Sequence, residues 1–143
     1  MTEQQRLVLV GGGHTHALVL KFLQMKPEPN LEVILVAPEG LAVYSGMLPS
    51  YIAGHYTYDE IHIDLRQLAL AAGASFYQDE VIGMNPDRKE LLLRERPPLP
   101  FDIVSLNVGS EPRPALGYSA NARGIKPVKA FMGHVESLSK SAR

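Results

Sequence analysis

The sequence predicts an α/β domain: a mostly parallel sheet with helices and a small antiparallel β-meander. Two observations predict it. Strand, helix and strand patterns follow one another between Arg6 and Val36, the unit that sets two parallel strands side by side. Two short apolar runs, Glu80–Met84 and Glu90–Arg94, then flank the turn Asn85-Pro86-Asp87-Arg88-Lys89, which reads as a hairpin.

Each element has its own local signal. Arg6–Val10 is an aliphatic run that stops at Gly11-Gly12-Gly13, a buried strand followed by a break. From His14 to Lys26 there is no Gly or Pro, and Ala17, Leu18, Leu20, Phe22, Leu23 and Met25 recur at helical spacing until Pro27 and Pro29 end the helix. Leu31–Val36 is a second strand, stopped by Pro38. Residues 39–60, rich in Gly, Pro, Ser and Tyr, are irregular, with a short helix near Leu48–Ala53. Asp64 is positioned to cap a helix over Leu65–Ala72 that Gly73 closes. Ala74–Gln78 is a third parallel strand, Leu99–Phe101 a third strand of the meander, and Ile103–Val108 the last apolar strand, ending at Gly109. A weak helical pattern runs from Val128 to Leu138.

Composition narrows the function. At 143 residues, 45% apolar, the chain is expected to form one domain with its own core, too short for two dinucleotide-binding domains. There is no cysteine, so disulfides, thiolate metal sites and a redox-active Cys pair are excluded within it. The apolar run Leu7–Val10 is too short for a signal-peptide core, and no stretch approaches the roughly 20 apolar residues of a membrane span. The expected setting is cytoplasmic. Charge is uneven: residues 27–87 hold nine acids and one base, Arg66, whereas residues 88–143 hold ten bases and five acids. The tyrosines Tyr44, Tyr51, Tyr56 and Tyr58 all lie in the acidic stretch, where nucleic-acid binding would need bases beside them. No nucleic-acid partner is expected.

The glycine loop carries the chemistry. Where a first strand turns into a first helix, glycine permits a tight turn and close backbone approach to a pyrophosphate, and the helix start offers free N–H groups with a partial positive charge. The loop reads Gly11-Gly12-Gly13-His14-Thr15-His16, so two glycines of the G-x-G-x-x-G fingerprint are present and His16 takes the place of the third. The acid that normally holds a ribose at the end of the second strand is replaced by Ala37, with Glu39 two residues on. Glu39 holds the ribose or is an ordinary surface acid. His14 and His16 allow three readings: a cofactor contact or cap, a polar surface, or a metal pair. The last suits them poorly, because residues two apart on a helix point about 200° apart. No metal is expected. His55, His62 and His134 have no partner spacing, Tyr44, Ser45 and Met47 either line a flavin or pack under their loop, and no nucleophile–base pair stands out.

Four stretches resemble one family in its own order: Val8–His16, Tyr44–Pro49 with Ala53–Tyr56, Ile63–Arg66, and Phe101–Ser110. The chain resembles the N-terminal FAD-binding portion of the pyridine nucleotide-disulfide oxidoreductase superfamily, Rossmann-like in fold. It is similar to NADH dehydrogenase-like proteins and most to the oxidoreductase region fused ahead of selenide, water dikinase. The resemblance implies FAD as cofactor and NADH or NADPH as electron donor in a full-length enzyme. It places the FAD pyrophosphate over Gly11 and Gly13, with Val81 beside the adenine and Gly109 near the flavin. The loop residues Gly12, His14, Thr15 and His16, and Glu39, join them as candidate cofactor-binding residues on the reading of the loop and strand end above. Asn107 and Val108 stand where the family carries Ala and Thr, so a hydroxyl contact at Val108 is lost. A second glycine fingerprint and a later Gly-Asp segment are absent. Residues 1–143 are therefore expected to be a partial FAD/NAD(P)-binding domain without its nicotinamide-binding domain. The open side would be covered by a C-terminal domain or by a homo-oligomer. No catalytic residue can be assigned, and a stand-alone nucleotide-binding or regulatory module is the alternative.

Overall fold

A computed structural model describes residues 4–110 and 124–141. Contacts divide the chain into two compact units, Met1–Ala42 with His62–Val108, and Val43–Ile61 with Gly109–Arg143.

The first unit is built on a four-stranded sheet of β1 (Gln5–Val10), β2 (Leu31–Ala37), β5 (Ser75–Gln78) and β9 (Ile103–Leu106), in the order β5-β2-β1-β9. All three pairings are parallel, with Val10 opposite both Val36 and Leu106, and Ala37 opposite Gln78. The expected parallel sheet is present. Helix α1 (His14–Met25) joins β1 to β2, and α3 (Leu65–Ala71) leads into β5. The meander β6 (Val81–Asn85), β7 (Glu90–Leu93) and β8 (Leu99–Pro100) is antiparallel throughout. The expected hairpin and third strand are both there.

Strand alternation sends the core to both faces of the sheet. Val8, Val10, Ile34 and Val36 pack against Leu91, Leu93 and Leu99 of the meander. Leu9, Val33, Leu35 and Ala37 pack against Leu20 of α1 and against Leu65 and Ala69 of α3. Burial on both sides explains why β1 and β2 read as unbroken aliphatic runs instead of alternating ones. Asp64 caps α3 as expected, its carboxylate accepting from the N–H groups of Arg66 and Gln67 at 3.0 and 3.1 Å. Gly73, with φ +70°, follows the end of that helix in the left-handed conformation glycine supplies.

One pairing departs from expectation. Leu41–Val43 (β3) and His62–Asp64 (β4) form a two-stranded ladder where the sequence reads as irregular. Three residues are too few to display an alternation, and tertiary pairing supplies what local pattern lacks.

The second unit contains α2 (Leu48–Ile52) and α4 (Val128–Ser141), the latter three residues longer than expected. Leu48, Ile61 and Met132 are its buried centre, with Val43, Met47, Tyr51, Val128 and Phe131 packed around them. Val128, Phe131 and Met132 share one helical face by their spacing of three and four.

Candidate functional site

Parallel registry aligns the carboxyl ends of the four strands, so Gly11, Pro38, Asp79 and Asn107 emerge together along one edge. Backbone bonds stitch that edge. The Gly11 N–H donates to Val36 C=O at 2.8 Å, Asn107 N–H to Val10 C=O at 2.8 Å, and Asp79 N–H to Ala37 C=O at 3.1 Å. The chain moves from β1 outward through β2 to β5, then returns to the other side of β1 as β9. The reversal point lies between β1 and β9, and ligands of open α/β sheets bind in the crevice outside such a point.

Gly11 and Gly13 stand at that point. Gly11 is buried with φ +94°, and a Cβ there would fall on the Asn107 carbonyl. Gly13 is the N-cap of α1, with no side chain capping it and no acid in the first turn. The first helical bond runs from Ala17 N–H to Gly13 C=O at 3.2 Å. The N–H groups of Gly13, His14, Thr15 and His16 precede it and have no intrahelical acceptor. The Asn107 side-chain amide lies against Gly13 where a Cβ would sit, and its Nδ2 is buried with no hydrogen-bond partner among the described residues. His14 and Thr15 are exposed beside this start.

Of the three readings left open for His16, the structure removes the polar-surface one. The residue is 1% exposed, because the first turn of α1 turns His16, Ala17 and Leu20 inward. Its Nδ1 lies 2.7 Å from the Gly11 carbonyl and its Nε2 2.9 Å from the Ser105 hydroxyl of β9. A carbonyl only accepts, so Nδ1 carries the proton, and in the neutral ring Nε2 accepts from Ser105. Both ring nitrogens are thus engaged inside the protein. No group of three or more His, Cys, Asp or Glu side chains placed to hold a metal occurs among the described residues.

Beyond β2 and β5 the edge is polar. Arg66 donates to Gln78 Oε1 and lies 5.8 Å from the centre of the Phe76 ring, while Gln78 Nε2 donates to Pro38 C=O at 3.3 Å. Asp79 is a buried carboxylate that the sequence reading did not single out. Its Oδ1 accepts from the N–H groups of Glu80 (2.7 Å) and Glu95 (3.2 Å), and its Oδ2 from Arg96 (3.2 Å). Burial opposes its charge, but the two backbone N–H groups and Arg96 outweigh it and hold the carboxyl below its ordinary value. Its oxygens are turned onto the segment after β7, where they staple β5 to the meander.

No family model and no curated protein matches the chain. Solved structures do. The sulfide:quinone oxidoreductase of the hyperthermophilic bacterium Aquifex aeolicus aligns with a TM-score of 0.77 at 16% identity, over 95% of this chain and 32% of that one. The water-forming NADH oxidase from Lactobacillus brevis, bound to NADH, aligns at 0.68 with 16% identity, over 91% of this chain and 32% of that one. NDH2 from Plasmodium falciparum, in complex with NADH, aligns at 0.64 with 15% identity, over 80% of this chain and 24% of that one. The chain shares their fold. It spans a third or less of the length of each.

Within this fold the remaining candidates separate. Glu39 is exposed, two residues past the end of β2. Val81 opens β6, partly buried, and packs against the cluster that contains Val8, Val10 and Ile34. Gly109 is exposed with φ +79° and open space around its Cβ position. It belongs to the second unit, as do exposed Tyr44 and Ser45 and the partly buried Met47, which packs on the Leu48 cluster. A polar depression of about 260 Å³ lined by Arg6, Glu32, Phe101 and Asp102 sits at the opposite, amino-terminal edge of the sheet. Neither the glycine loop nor a helix start reaches it.

Proposed function

We propose that the chain is the FAD-binding segment of an NAD(P)H-dependent flavoprotein oxidoreductase, a partial FAD/NAD(P)-binding domain. The observation that carries this reading is the Gly11–Gly13 loop at the reversal point of the sheet, followed by a helix start with no capping side chain. The residues present fit a dinucleotide. Gly11 and Gly13 leave no room for a Cβ, so backbone and the Asn107 side-chain amide form the cradle, and the helix start supplies N–H donors to a pyrophosphate in a stretch with few cationic side chains. The buried Asn107 Nδ2, without a hydrogen-bond partner among the described residues, is one more donor at the same place.

The backbone of Gly12, Gly13, His14 and Thr15 would hold the pyrophosphate. Glu39 would take the ribose hydroxyls in place of the acid missing at Ala37, and the sequence resemblance assigns Val81 to the adenine and Gly109 to the flavin. FAD held there would supply the hydride and electron-transfer chemistry, with NADH or NADPH as the donor. The chain's own part is to bind and orient it. Among the described residues β9 pairs with β1 on one side only, and Ile103 and Leu106 are 47% and 59% exposed. A C-terminal domain or a second copy covers that edge in the working enzyme. A cytoplasmic setting belongs to the same proposal, and no helix among the described residues is long and apolar enough to cross a membrane. The tie to selenide, water dikinase rests on the sequence stretches.

Calorimetric titration with FAD, NADH and ATP tests the reading. FAD is expected to bind in preference to both. A preference for ATP or NADH would replace it with a stand-alone nucleotide-binding or regulatory module.

A further inference from the structure

We propose that His16 is the positioning residue of the glycine loop: it fixes the peptide that presents the Gly12 N–H to a bound diphosphate, and so sets affinity for the phosphates, not for the adenosine. The inference rests on the dinucleotide reading of this loop.

The geometry runs through one peptide plane. His16 Nδ1–H donates to the Gly11 carbonyl at 2.7 Å on the inner side of the loop. A trans peptide is planar, with its C=O and the following N–H directed oppositely. Holding the Gly11 C=O inward therefore holds the Gly12 N–H outward. Gly11 is the residue that most needs such a hold, since glycine at φ +94° has a broad choice of conformations and no side chain to restrain it. The hold is itself anchored. Ser105 of β9, 89 residues away, shares a hydrogen bond with Nε2 at 2.9 Å, so the ring spans from α1 to β9.

A small residue at position 16 would let helix and strand approach directly, and the loop would keep its shape through packing alone. The imidazole does this by hydrogen bonding. At 1% exposure its two polar atoms have no access to water, so each lost bond leaves a buried group unsatisfied. The ring orients a donor without touching the ligand.

The test titrates the 143-residue chain with ADP, adenosine and FAD, using wild type, His16→Ala, His16→Asn and Ser105→Ala. ADP carries the diphosphate and adenosine lacks it. His16→Ala is expected to weaken ADP and FAD about tenfold, a 1.4 kcal/mol change, and adenosine less than about twofold. His16→Asn, whose amide N–H reaches the position of Nδ1, is expected to restore most of the ADP affinity. Ser105→Ala, which keeps the Gly11 bond, falls between wild type and His16→Ala. In amide NMR spectra the Gly12 proton shifts downfield when ADP is added to wild type, and that shift shrinks in His16→Ala. If His16→Ala fails to fold, the Asn and Ser105 variants carry the same comparison. A folded His16→Ala that binds ADP as tightly as wild type overturns the proposal, as does equal weakening of ADP and adenosine. Wild type that binds neither ADP nor FAD overturns the dinucleotide reading itself, and this inference with it.

Discussion

Gly11 and Asn107 meet so closely at the end of the sheet that a single methyl group on Gly11 would overlap the Asn107 carbonyl. That contact joins the two strands between which the order of the sheet reverses, and it sets backbone of Gly11 directly against backbone of Asn107.

Gly11→Ala and Gly13→Ala are expected to differ. At Gly11 a side chain meets both a positive φ of 94° and a backbone atom that cannot swing away. The conformation alone costs about 1–2 kcal/mol for a non-glycine residue. Gly13 has φ −65°, which any residue adopts, and its obstacle is the side-chain amide of Asn107. Thermal unfolding without ligand should therefore rank Gly11→Ala well below Gly13→Ala, and both should weaken ADP. Equal melting temperatures for the two variants would contradict this packing.

Asp64→Ala is expected to cost about 1 kcal/mol, the usual loss for an N-cap carboxylate. Two N–H groups of α3, those of Arg66 and Gln67, lose their acceptor. A fall of roughly 3–5 °C in melting temperature corresponds to that loss in a chain of this size. Unchanged melting would mean that α3 does not depend on its cap.

Asp79 ties stability to pH. Its carboxyl is held below the ordinary value of 3.8, so the unfolded chain takes up the proton first as pH falls. The stability it contributes is fully present above that ordinary value and drains away as pH drops through the lowered one. Glu80, whose carboxyl Arg94 also holds below its ordinary 4.5, adds to the same acid-side loss. Urea unfolding of wild type and Asp79→Asn should show a gap that is constant from about pH 7 to pH 5 and narrows below about pH 4. A gap that widens on acidification would refute the staple.

The architecture was largely legible because its signals are local. Glycines at the end of β1, prolines after α1 and Asp64 before α3 each act on neighbouring residues, and all appear where they were expected. The site was legible only in its backbone. Whether His16 faced in or out depends on Ser105, 89 residues away, and an isolated helical turn carries no sign of that partner. Asp79 carries no local signal, because the Glu95 N–H and Arg96 that close over it lie 16 and 17 residues away. Asn107 is seen as a buried donor without a partner among the described residues only when β9 lies beside Gly13.

The cofactor reading also predicts an absence of turnover. Spanning a third or less of each matched oxidoreductase, the chain should bind but not cycle. NADH absorbance in the presence of the purified chain and added FAD should stay flat. Steady oxidation above the rate of FAD alone would contradict the expectation.

Titration of the wild-type chain with FAD, beside NADH and ATP at matched concentrations, reaches the central claim most directly. Saturable FAD binding that ADP displaces and that Gly11→Ala abolishes is the predicted result. FAD that fails to bind, or binds more weakly than NADH or ATP, would contradict it.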